Sequence, residues 1–274
     1  MTKSPHVSVV IPCFNHGEFL PGAVASVTSI NRDDVELIVV DDGSTDELTR
    51  KAVAALSAQG IRTICQENKG LAAARNLGIS ASQGKYILPL DADNRIRAAY
   101  IERGIQTLDA EPQIGVVYGD AEYTGTRTGR WHVGPLNLNR LLQWNYIDAC
   151  AVYRRAVWEQ NGGYDGAMPV QGLEDWDFWL GAVEHDWAFH YVPQVLFDYR
   201  VAEESMISRA AKFKPQIEKF IANKHGLLYR QAWIQREWER GSGRATLANL
   251  RRIVKARLKH KLDPNGAQDW ICPR

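Results

Sequence analysis

Short apolar runs alternate with helical patterns over the first 125 residues of this 274-residue chain, and this alternation constrains the fold more than any other feature. Residues 35–40, Val-Glu-Leu-Ile-Val-Val, are almost entirely apolar, which is typical of a parallel strand covered by helices on both faces. The pattern therefore predicts an α/β fold built on an open sheet. The predicted strands are Val7–Pro12, Glu36–Asp41, Ile61–Cys65, Tyr86–Leu90 and Ile114–Tyr118, and the predicted helices are Glu18–Ser29, Thr45–Ala58, Leu71–Ser80 and Ala98–Leu108.

The pattern changes in the second half of the chain. Between Gly119 and about Arg200 it loosens into glycine-rich loops, and from Ser205 to Lys261 it is helical. We therefore predict a first domain over residues 1–208 and a helical extension over residues 209–274. The elements predicted within the looser region are a helix near Leu173–Glu184 and strands at Phe189–Val192 and Val195–Arg200.

Charge divides the chain at nearly the same place. Residues 1–204 carry 17 basic and 27 acidic residues, whereas residues 205–274 carry 16 basic and 5 acidic ones. A basic extension with an apolar stripe predicts peripheral contact with an anionic membrane surface, and the alternative is a helix docked on the first domain. No nucleic-acid motif accompanies the charge, so we predict no nucleic-acid partner. The stripe consists of Leu247, Leu250, Val254, Leu258 and Leu262.

The cysteine spacing and the N-terminal residues allow a prediction of the cellular compartment. The four cysteines have neither CxxC nor zinc-site spacing, which argues against a disulfide framework and a zinc centre. No signal-peptide pattern precedes the first strand, and no stretch approaches the ~18 apolar residues of a membrane span. We expect a cytoplasmic protein whose membrane contact is at most peripheral, at the inner face.

Polar segments follow each of the first four predicted strands, at Cys13–His16, Asp41–Asp46, Gln66–Gly70 and Asp91–Asn94. In an open α/β sheet, ligands bind beyond the carboxyl ends of the strands, where the strand order reverses. The four segments therefore predict one binding rim. Each also has a plainer interpretation, because turns, helix caps and acidic loops use the same residue types.

Asp91 and Asp93 are the most specific pair on this rim, because carboxylates two residues apart on an extended segment point the same way. Without a cation they repel, and one tends to keep its proton. A hard ion such as Mn²⁺ or Mg²⁺ removes the conflict, with phosphate oxygens completing its shell. The pair therefore predicts a metal–diphosphate site.

Signatures of other phosphate-binding and hydrolytic folds are missing. No GxGxxG follows the first strand, so a dinucleotide-binding dehydrogenase is not predicted. Gly84-Lys85 lacks the earlier glycine of a P-loop, and no GxSxG nucleophile elbow occurs.

Taken together, four motifs resemble a known family. They are Val-Ser-Val-Val-Ile-Pro-Cys-Phe-Asn (7–15), Asp-Asp-Gly-Ser-Thr-Asp (41–46), Asn-Lys-Gly-Leu-Ala-Ala-Ala-Arg-Asn (68–76) and Asp-Ala-Asp (91–93). In this order they are similar to the inverting glycosyltransferases of family 2, which have the GT-A fold. Gly-Leu-Glu-Asp-Trp-Asp-Phe-Trp (172–179) and Tyr-Arg (199–200) extend the resemblance to about residue 208.

The resemblance implies a nucleotide-diphospho-sugar donor, commonly a UDP-sugar, held first at the nucleoside. Pro12, Phe14 and Asn15 would border the nucleoside, and Asp42 would accept a hydrogen bond from its base. The residues implied to hold base and ribose are Asn68, Lys69 and Gly70.

The same resemblance places the diphosphate and the metal further along the rim. Arg75 would reach the donor sugar or diphosphate, a task that suits a guanidinium group. Asp91 would hold the ribose or reach the metal through water, Ala92 would line this cofactor site, and Asp93 would bind Mn²⁺ or Mg²⁺ directly.

Glu174 and Asp175 are the implied catalytic pair, with Asp175 as general base and Glu174 as second choice. Apolar residues three and four apart predict a buried stripe on this helix, with Asp175 in the first turn and off the stripe. The alternative is that these acids only complement the helix dipole. The stripe comprises Leu173, Trp176, Leu180 and Val183.

One position departs from the family pattern. Many relatives have a histidine two residues after the Tyr-Arg arginine, whereas this chain has Ala202. The implied activity is metal-assisted transfer of a sugar to a saccharide or lipid-linked saccharide, in assembly of a surface polysaccharide. Two alternatives are a sugar nucleotidyltransferase, whose glycine-rich basic loop is absent, and an inactive saccharide-binding scaffold of the same fold.

Overall fold

The computed structural model describes residues 5–203 and 206–239, and these form one mixed sheet flanked by helices. The strand order is β3-β2-β1-β4-β8-β6-β9-β5, with β7 paired to β6. The strands are β1 (Val7–Cys13), β2 (Val35–Asp41), β3 (Arg62–Cys65), β4 (Tyr86–Pro89), β5 (Arg95–Ile96), β6 (Ile114–Gly125), β7 (Gly129–Trp131), β8 (Val152–Arg154) and β9 (Ala188–Val201).

The helices follow the strands in the predicted alternation. They are α1 (Leu20–Thr28), α2 (Glu47–Ala58), α3 (Leu71–Ala81), α4 (Ala98–Ala110), α5 (Leu138–Leu141), α6 (Arg155–Asn161), α7 (Glu174–Glu184), α8 (Met206–Ala210), α9 (Lys214–Lys224) and α10 (Gly226–Glu239). The α/β fold is thus confirmed, and α8–α10 confirm a helical pattern from residue 206 to residue 239. The apolar stripe at residues 247–262 lies outside the described residues.

The strand pairing explains why the polar segments meet. Strands β3, β2, β1 and β4 are parallel, and β1 lies between β2 and β4, so the order reverses at β1. Beyond β4 the sheet becomes mixed, because β8 is antiparallel to both β4 and β6. The carboxyl ends of β1, β2 and β4 therefore open at one edge, which is where ligands bind in such sheets.

Two apolar clusters bury the sheet on its two faces. Helix α3 packs very closely on one face, because a Cβ atom at Gly78 would lie 2.4 Å from Cγ1 of Val10. The lack of a side chain at Gly78 lets α3 approach the sheet. This approach carries Arg75, one turn earlier on α3, towards the carboxyl edge.

Helix α7 differs from its predicted form. The sequence predicts a buried stripe with Asp175 off it, but residues 174–182 are all buried, including Glu174, Asp175 and Asp177. The physical reason is that α7 packs against α6 on one side and against α9 and α10 on another, so little of its surface faces solvent.

Several short elements were not predicted. Strands β5, β7 and β8 have two or three residues each, and α5 has four, too few for a hydrophobic period to appear. The two strands predicted between residues 189 and 200 form the single strand β9, and β6 runs on to Gly125. None of the described helices is long and apolar enough to span a bilayer.

Candidate active site

One half of the rim, which we call the Asp42 half, comprises residues 12–16, 41–46 and 66–70. Its centre is the buried carboxylate of Asp42, which accepts hydrogen bonds from Gln66 Nε2 at 2.6 Å, from the backbone N–H of Lys69 at 2.9 Å and from that of Gly70 at 2.8 Å. These bonds fold the 66–70 loop around Asp42. Gly70 has φ of 88°, a conformation that favours glycine, and it caps the start of α3.

Asn15 joins the first two segments of the Asp42 half. Its Oδ1 accepts hydrogen bonds from the backbone N–H groups of Thr45 at 2.8 Å and Asp46 at 3.2 Å, and its Nδ2 donates to Thr45 Oγ1 at 3.1 Å. Asn15 itself has φ of 54°. The neighbouring Phe14 is 42% exposed, whereas Pro12 is buried within β1. The structure thus presents the Phe14 ring at the rim and places the Pro12 side chain beneath it.

A loop that precedes α7 lies over the start of α3. A Cβ atom at Gly70 would be 2.2 Å from Nε2 of Gln171, so the Gln171 amide sits directly above this glycine. A cavity of about 20 Å³ remains between Lys69, Asp165 and Glu174, enough for about one water. Asn68 and Lys69 themselves are exposed.

The other half, which we call the Asp175 half, comprises Arg75, Asp91–Asp93, Asn145, Asp148 and Glu174–Asp175. Arg75 is its centre, with a side chain 3% exposed, and it therefore is not a surface residue. Its Nη2 donates to Asp91 Oδ1 at 2.7 Å, and its Nη1 lies 3.6 Å from Glu174 Oε1. Burial opposes the charged guanidinium, but these carboxylates outweigh burial and raise the pKa of Arg75.

The carboxylates of Asp91, Asp93 and Asp148 lie close together in this half. Burial and the neighbouring charge of Asp91 raise the pKa of Asp93, and they raise the pKa of Asp148 to about 7. Arg200 lies at the edge, with its Nη1 3.7 Å from Asp93 Oδ2. Ala202, which replaces the family histidine, is half-buried just after β9. Arg200 is thus the cation that the Tyr-Arg segment brings to the Asp-Ala-Asp motif.

Asp175 lies in the first turn of α7 with both oxygens engaged. Its Oδ1 accepts from the backbone N–H of Trp176 at 2.9 Å, and its Oδ2 accepts from Asn145 Nδ2 at 2.8 Å. Burial, followed by the charges of Asp148 and Glu174, raises the pKa of Asp175 well above its usual value. The bond from the Trp176 N–H is what the helix-dipole alternative predicts, whereas the bond from Asn145 goes beyond it.

The donor chemistry of the Asp175 half fits a hard divalent cation. Four carboxylates, those of Asp91, Asp148, Glu174 and Asp175, interact electrostatically with the buried Arg75, and within the described residues Arg75 Nε and Glu174 Oε1 have no hydrogen-bond partner. No group of three or more His, Cys, Asp and Glu side chains in residues 5–203 and 206–239 is arranged to hold a metal by itself. Two carboxylates, with phosphate oxygens and water as further ligands, are the set that Mg²⁺ commonly uses.

Two residues of this half were missed by sequence reasoning. Asn145 and Asp148 lie in the irregular segment between α5 and β8, where no period or motif distinguishes them. The remaining predicted site residues reach the rim or lie directly beneath it. Ala92 is 1% exposed, and so it packs below Asp91 and Asp93.

Comparisons with known proteins identify the family and the fold. Residues 8–162 match the profile of Glycosyl transferase family 2. The chain is 37% identical to glycosyltransferase GlyG of Streptococcus pneumoniae over 124 residues, which cover 43% of this chain and 41% of that protein. It is 31% identical to a PGL/p-HBAD biosynthesis glycosyltransferase of Mycobacterium bovis over 179 residues, which cover 64% of this chain and 68% of that protein.

Solved structures show the same fold. S. aureus TarS 1–349 in complex with UDP-GlcNAc superposes with a TM-score of 0.62 at 18% identity, covering 74% of this chain and 60% of that one. Mannosyltransferase PcManGT from Pyrobaculum calidifontis, in complex with GDP-Man and Mn²⁺, has a TM-score of 0.56 at 19% identity, covering 85% of this chain and 65% of that one.

The chain spans 41% of the length of GlyG, and its match to the family profile includes the Asp42 half, Arg75 and the Asp-Ala-Asp motif. The profile covers more than half of the chain, and the structural neighbours share its mixed sheet. The chain belongs to glycosyl transferase family 2 and has the GT-A fold.

Proposed function

We propose that this protein is an inverting glycosyltransferase that moves a sugar from a nucleotide-diphospho-sugar, most simply a UDP-sugar, to a hydroxyl group of a saccharide or lipid-linked saccharide. The observation that carries the proposal is the convergence of Arg75, Asp91 and Asp175 at the carboxyl edge of the sheet, beside the Asp42 half. The UDP-GlcNAc complex of TarS, a protein of the same fold, supports this class of donor.

Asp175 is the proposed general base. Its raised pKa makes the carboxylate a stronger proton acceptor, and a base must accept the proton of the acceptor hydroxyl as that oxygen attacks the anomeric carbon. Asn145 fixes the direction of Oδ2 by its 2.8 Å hydrogen bond. Glu174 is the second candidate, but it faces Arg75 at 3.6 Å. A single displacement of this kind inverts the anomeric centre.

The Asp42 half would hold the nucleoside. Asp42 receives three hydrogen bonds from its own chain, and a carboxylate can accept about four, so one position is left for a base N–H group. The exposed Phe14 ring offers a stacking surface beside it. Asn15 would act by shaping this rim, with Asn68, Lys69 and Gly70 bordering base and ribose.

Asp91 and Asp93 would hold a divalent cation, Mn²⁺ or Mg²⁺. When bound, the ion stabilises the negative charge that develops on the departing nucleoside diphosphate. Arg75 holds one oxygen of Asp91 and so fixes the direction of the other. PcManGT, another protein with this fold, is described with Mn²⁺.

The acceptor and the cellular setting are proposed from the class of relatives. A role in glycan biosynthesis agrees with the PGL/p-HBAD biosynthesis relative. A catalytic unit over residues 1–208 and membrane contact through the basic extension, at the inner face of the membrane, stay predictions. The family match argues against the nucleotidyltransferase alternative, and the retained Asp91, Asp93 and Asp175 argue against the inactive scaffold.

A donor panel tests the proposal. Purified protein is given UDP-N-acetylglucosamine, UDP-glucose, UDP-galactose or GDP-mannose with Mn²⁺, and release of nucleoside diphosphate is measured. We expect release from at least one donor, dependent on Mn²⁺ and lost in Asp93→Asn and Asp175→Asn. In parallel, UDP with Mn²⁺ should raise the melting temperature, whereas UTP and NAD should not. Stabilisation by UTP alone would instead support a nucleotidyltransferase.

A further inference from the structure

The corner between α9 and α10 is docked on α7, the helix that carries Asp175. Ile217, Ile221 and Leu228, which lie on α9 and α10, are at most 3% exposed and belong to the same apolar cluster as Trp176 of α7. An apolar contact of this kind makes the corner part of the folded core. The position of α7 therefore depends on residues far from the family motifs.

A buried histidine lies at the polar centre of this contact. His225 is 2% exposed, its Nε2 lies 3.0 Å from Asp177 Oδ1, and its Nδ1 lies 2.9 Å from Glu184 Oε2. Ionised carboxylates only accept hydrogen bonds, so both ring nitrogens must donate, and an imidazole ring donates twice only when protonated. The geometry thus defines an imidazolium clamped between two carboxylates of α7.

The groups around the ring favour its charge. Burial opposes the cation, but Asp177 and Glu184 outweigh burial and raise the pKa of His225. The residue is also the C-cap of α9, where the helix dipole favours a cation. The other charged groups at the corner are Lys224 of α9 and Asp165 of the loop before α7, and Lys224 Nζ donates to Asp177 Oδ2 at 2.8 Å and to Asp165 Oδ2 at 2.6 Å.

His225 contacts α7 close to Asp175 and again near the C-terminal end of the helix. Asp177 and Glu184 are seven residues apart, about two turns, so one ring holds both ends of the same helix face. Asp177 follows Asp175 by two residues. The corner also holds the segment that carries Asn145, because Tyr229 OH donates to the carbonyl of Leu142 at 2.6 Å. Helices α9 and α10 thus contact both α7 and the segment that carries Asn145.

We propose that His225 is a positioning residue for glycosyl transfer, which holds α7 through Asp177 and Glu184 so that Asp175 faces the reaction cleft. On this proposal the catalytic unit extends beyond the predicted boundary at residue 208 and includes α9 and α10. The inference rests on the proposed role of Asp175, and it goes beyond that role by assigning a function to the C-terminal helices.

A double-mutant cycle tests this inference with the donor that gives the fastest turnover in the panel. For His225→Ala we expect kcat to fall by about 10- to 100-fold, the loss typical of a misplaced catalytic group, while KM for the donor stays within about twofold. In the Asp175→Asn background, His225→Ala should change the residual rate by less than about twofold, because the two residues act through one step.

Two further variants make the test independent of whether His225→Ala folds. Glu184→Gln removes the negative charge of one of the two carboxylates that hold His225, at a side chain that is 31% exposed, and it should lower kcat in the same direction but less. His185→Ala is the matched control, since His185 is an exposed histidine at the C-cap of α7 and should leave kcat unchanged.

The pH dependence of stability tests whether the His225 ring is positively charged in the folded protein. Because the folded-state pKa lies above the unfolded value of about 6.5, the clamp contributes fully below that pH and is lost as pH rises through the folded value. The melting temperature of the wild type should exceed that of His225→Ala most at acidic pH. A difference that is constant with pH overturns the imidazolium clamp.

The outcomes separate this inference from the proposed function. Full turnover by Asp175→Asn overturns the assignment of the base and this inference with it. Normal kcat in His225→Ala and Glu184→Gln beside an inactive Asp175→Asn overturns this inference alone. An equal fall in rate in both backgrounds also overturns it, because a purely structural role predicts that result.

Discussion

The two halves of the rim use similar residues in opposite ways. In the Asp42 half, the Asp42 carboxylate and the Asn15 amide are each hydrogen-bonded to backbone and side-chain groups of a neighbouring loop. In the Asp175 half, several carboxylates surround the one buried cation Arg75, and Glu174 Oε1 has no hydrogen bond from any of the residues that the structure describes. Both oxygens of Asp42 are thus hydrogen-bonded, and Asp46 Oδ2 is the buried atom of this half that has no partner among the described residues, whereas the second half carries excess negative charge around Arg75. We propose that this difference separates a rim that binds the nucleoside from a site that binds a cation and a diphosphate.

The largest expected effect on kcat comes from substituting Asp175, the proposed general base. Asp175→Asn keeps the shape of the side chain and removes its ability to accept a proton, so we expect kcat to fall by about 10²- to 10⁴-fold with little change in KM. Measured release of nucleoside diphosphate provides the test. Glu174→Gln separates the two candidates, because retained kcat in Asp175→Asn beside a large loss in Glu174→Gln would transfer the role to Glu174.

The same substitution should have opposite effects on stability in the two halves. Asp42→Asn breaks a satisfied buried network and should lower the free energy of unfolding by about 1–3 kcal/mol. Asp93→Asn relieves repulsion in the metal-free Asp175 half and should raise the melting temperature slightly. Chemical unfolding of both variants in EDTA makes the comparison. Destabilisation of similar size in both variants would show that the two halves do not differ.

Substitution of Asn145 tests whether kcat depends on the orientation of the Asp175 carboxylate as well as on its charge. Asn145→Ala removes the donor to Asp175 Oδ2, and the loss of a hydrogen bond to a charged group predicts a fall in kcat of about tenfold without a change in donor KM. Asn139→Ala, an exposed residue of α5 in the same segment, is the control. Equal kcat values for the two variants would remove Asn145 from the site.

The smallest expected effect is on the pH dependence of stability, and it comes from Asp148 in the Asp175 half. The folded state raises the pKa of Asp148 to about 7 through burial and the charge of Asp91, whereas the unfolded value is about 3.9. The folded protein therefore binds this proton more tightly, and stability falls as pH rises from about 4 to about 7. Asp148→Asn should reduce this decline, so its melting temperature in EDTA should gain about 3 °C on the wild type between pH 6 and pH 8.

The sequence predicts those site residues that directly follow strands with a clear hydrophobic pattern. Strands β1, β2 and β4 are mostly apolar, and the residues that follow them reach the rim because of the sheet topology. Asn145 and Asp148 lie in an irregular segment, and their place beside Asp175 depends on contacts some 30 residues away in the chain. His225 is a single histidine between two helices, and only the packing of α9 and α10 against α7 gives it two carboxylate partners.

The buried state of Arg75 illustrates the same limit. Its position after the Asn-Lys-Gly motif is visible in the sequence, but its burial follows from the close approach of α3 at Gly78 and from the carboxylates of α7. Local periodicity cannot report contacts between distant elements. The charge imbalance of the Asp175 half is therefore a property of the folded chain.

Binding of Mn²⁺ in the presence of UDP tests the central difference most directly. Electron paramagnetic resonance of free Mn²⁺, titrated into protein with saturating UDP, measures the affinity of the site. The account predicts one bound ion in the wild type and in Asn145→Ala, and an affinity lowered by about tenfold or more in Asp93→Asn, which lacks one carboxylate ligand. Equal Mn²⁺ affinity in wild type and Asp93→Asn would contradict it.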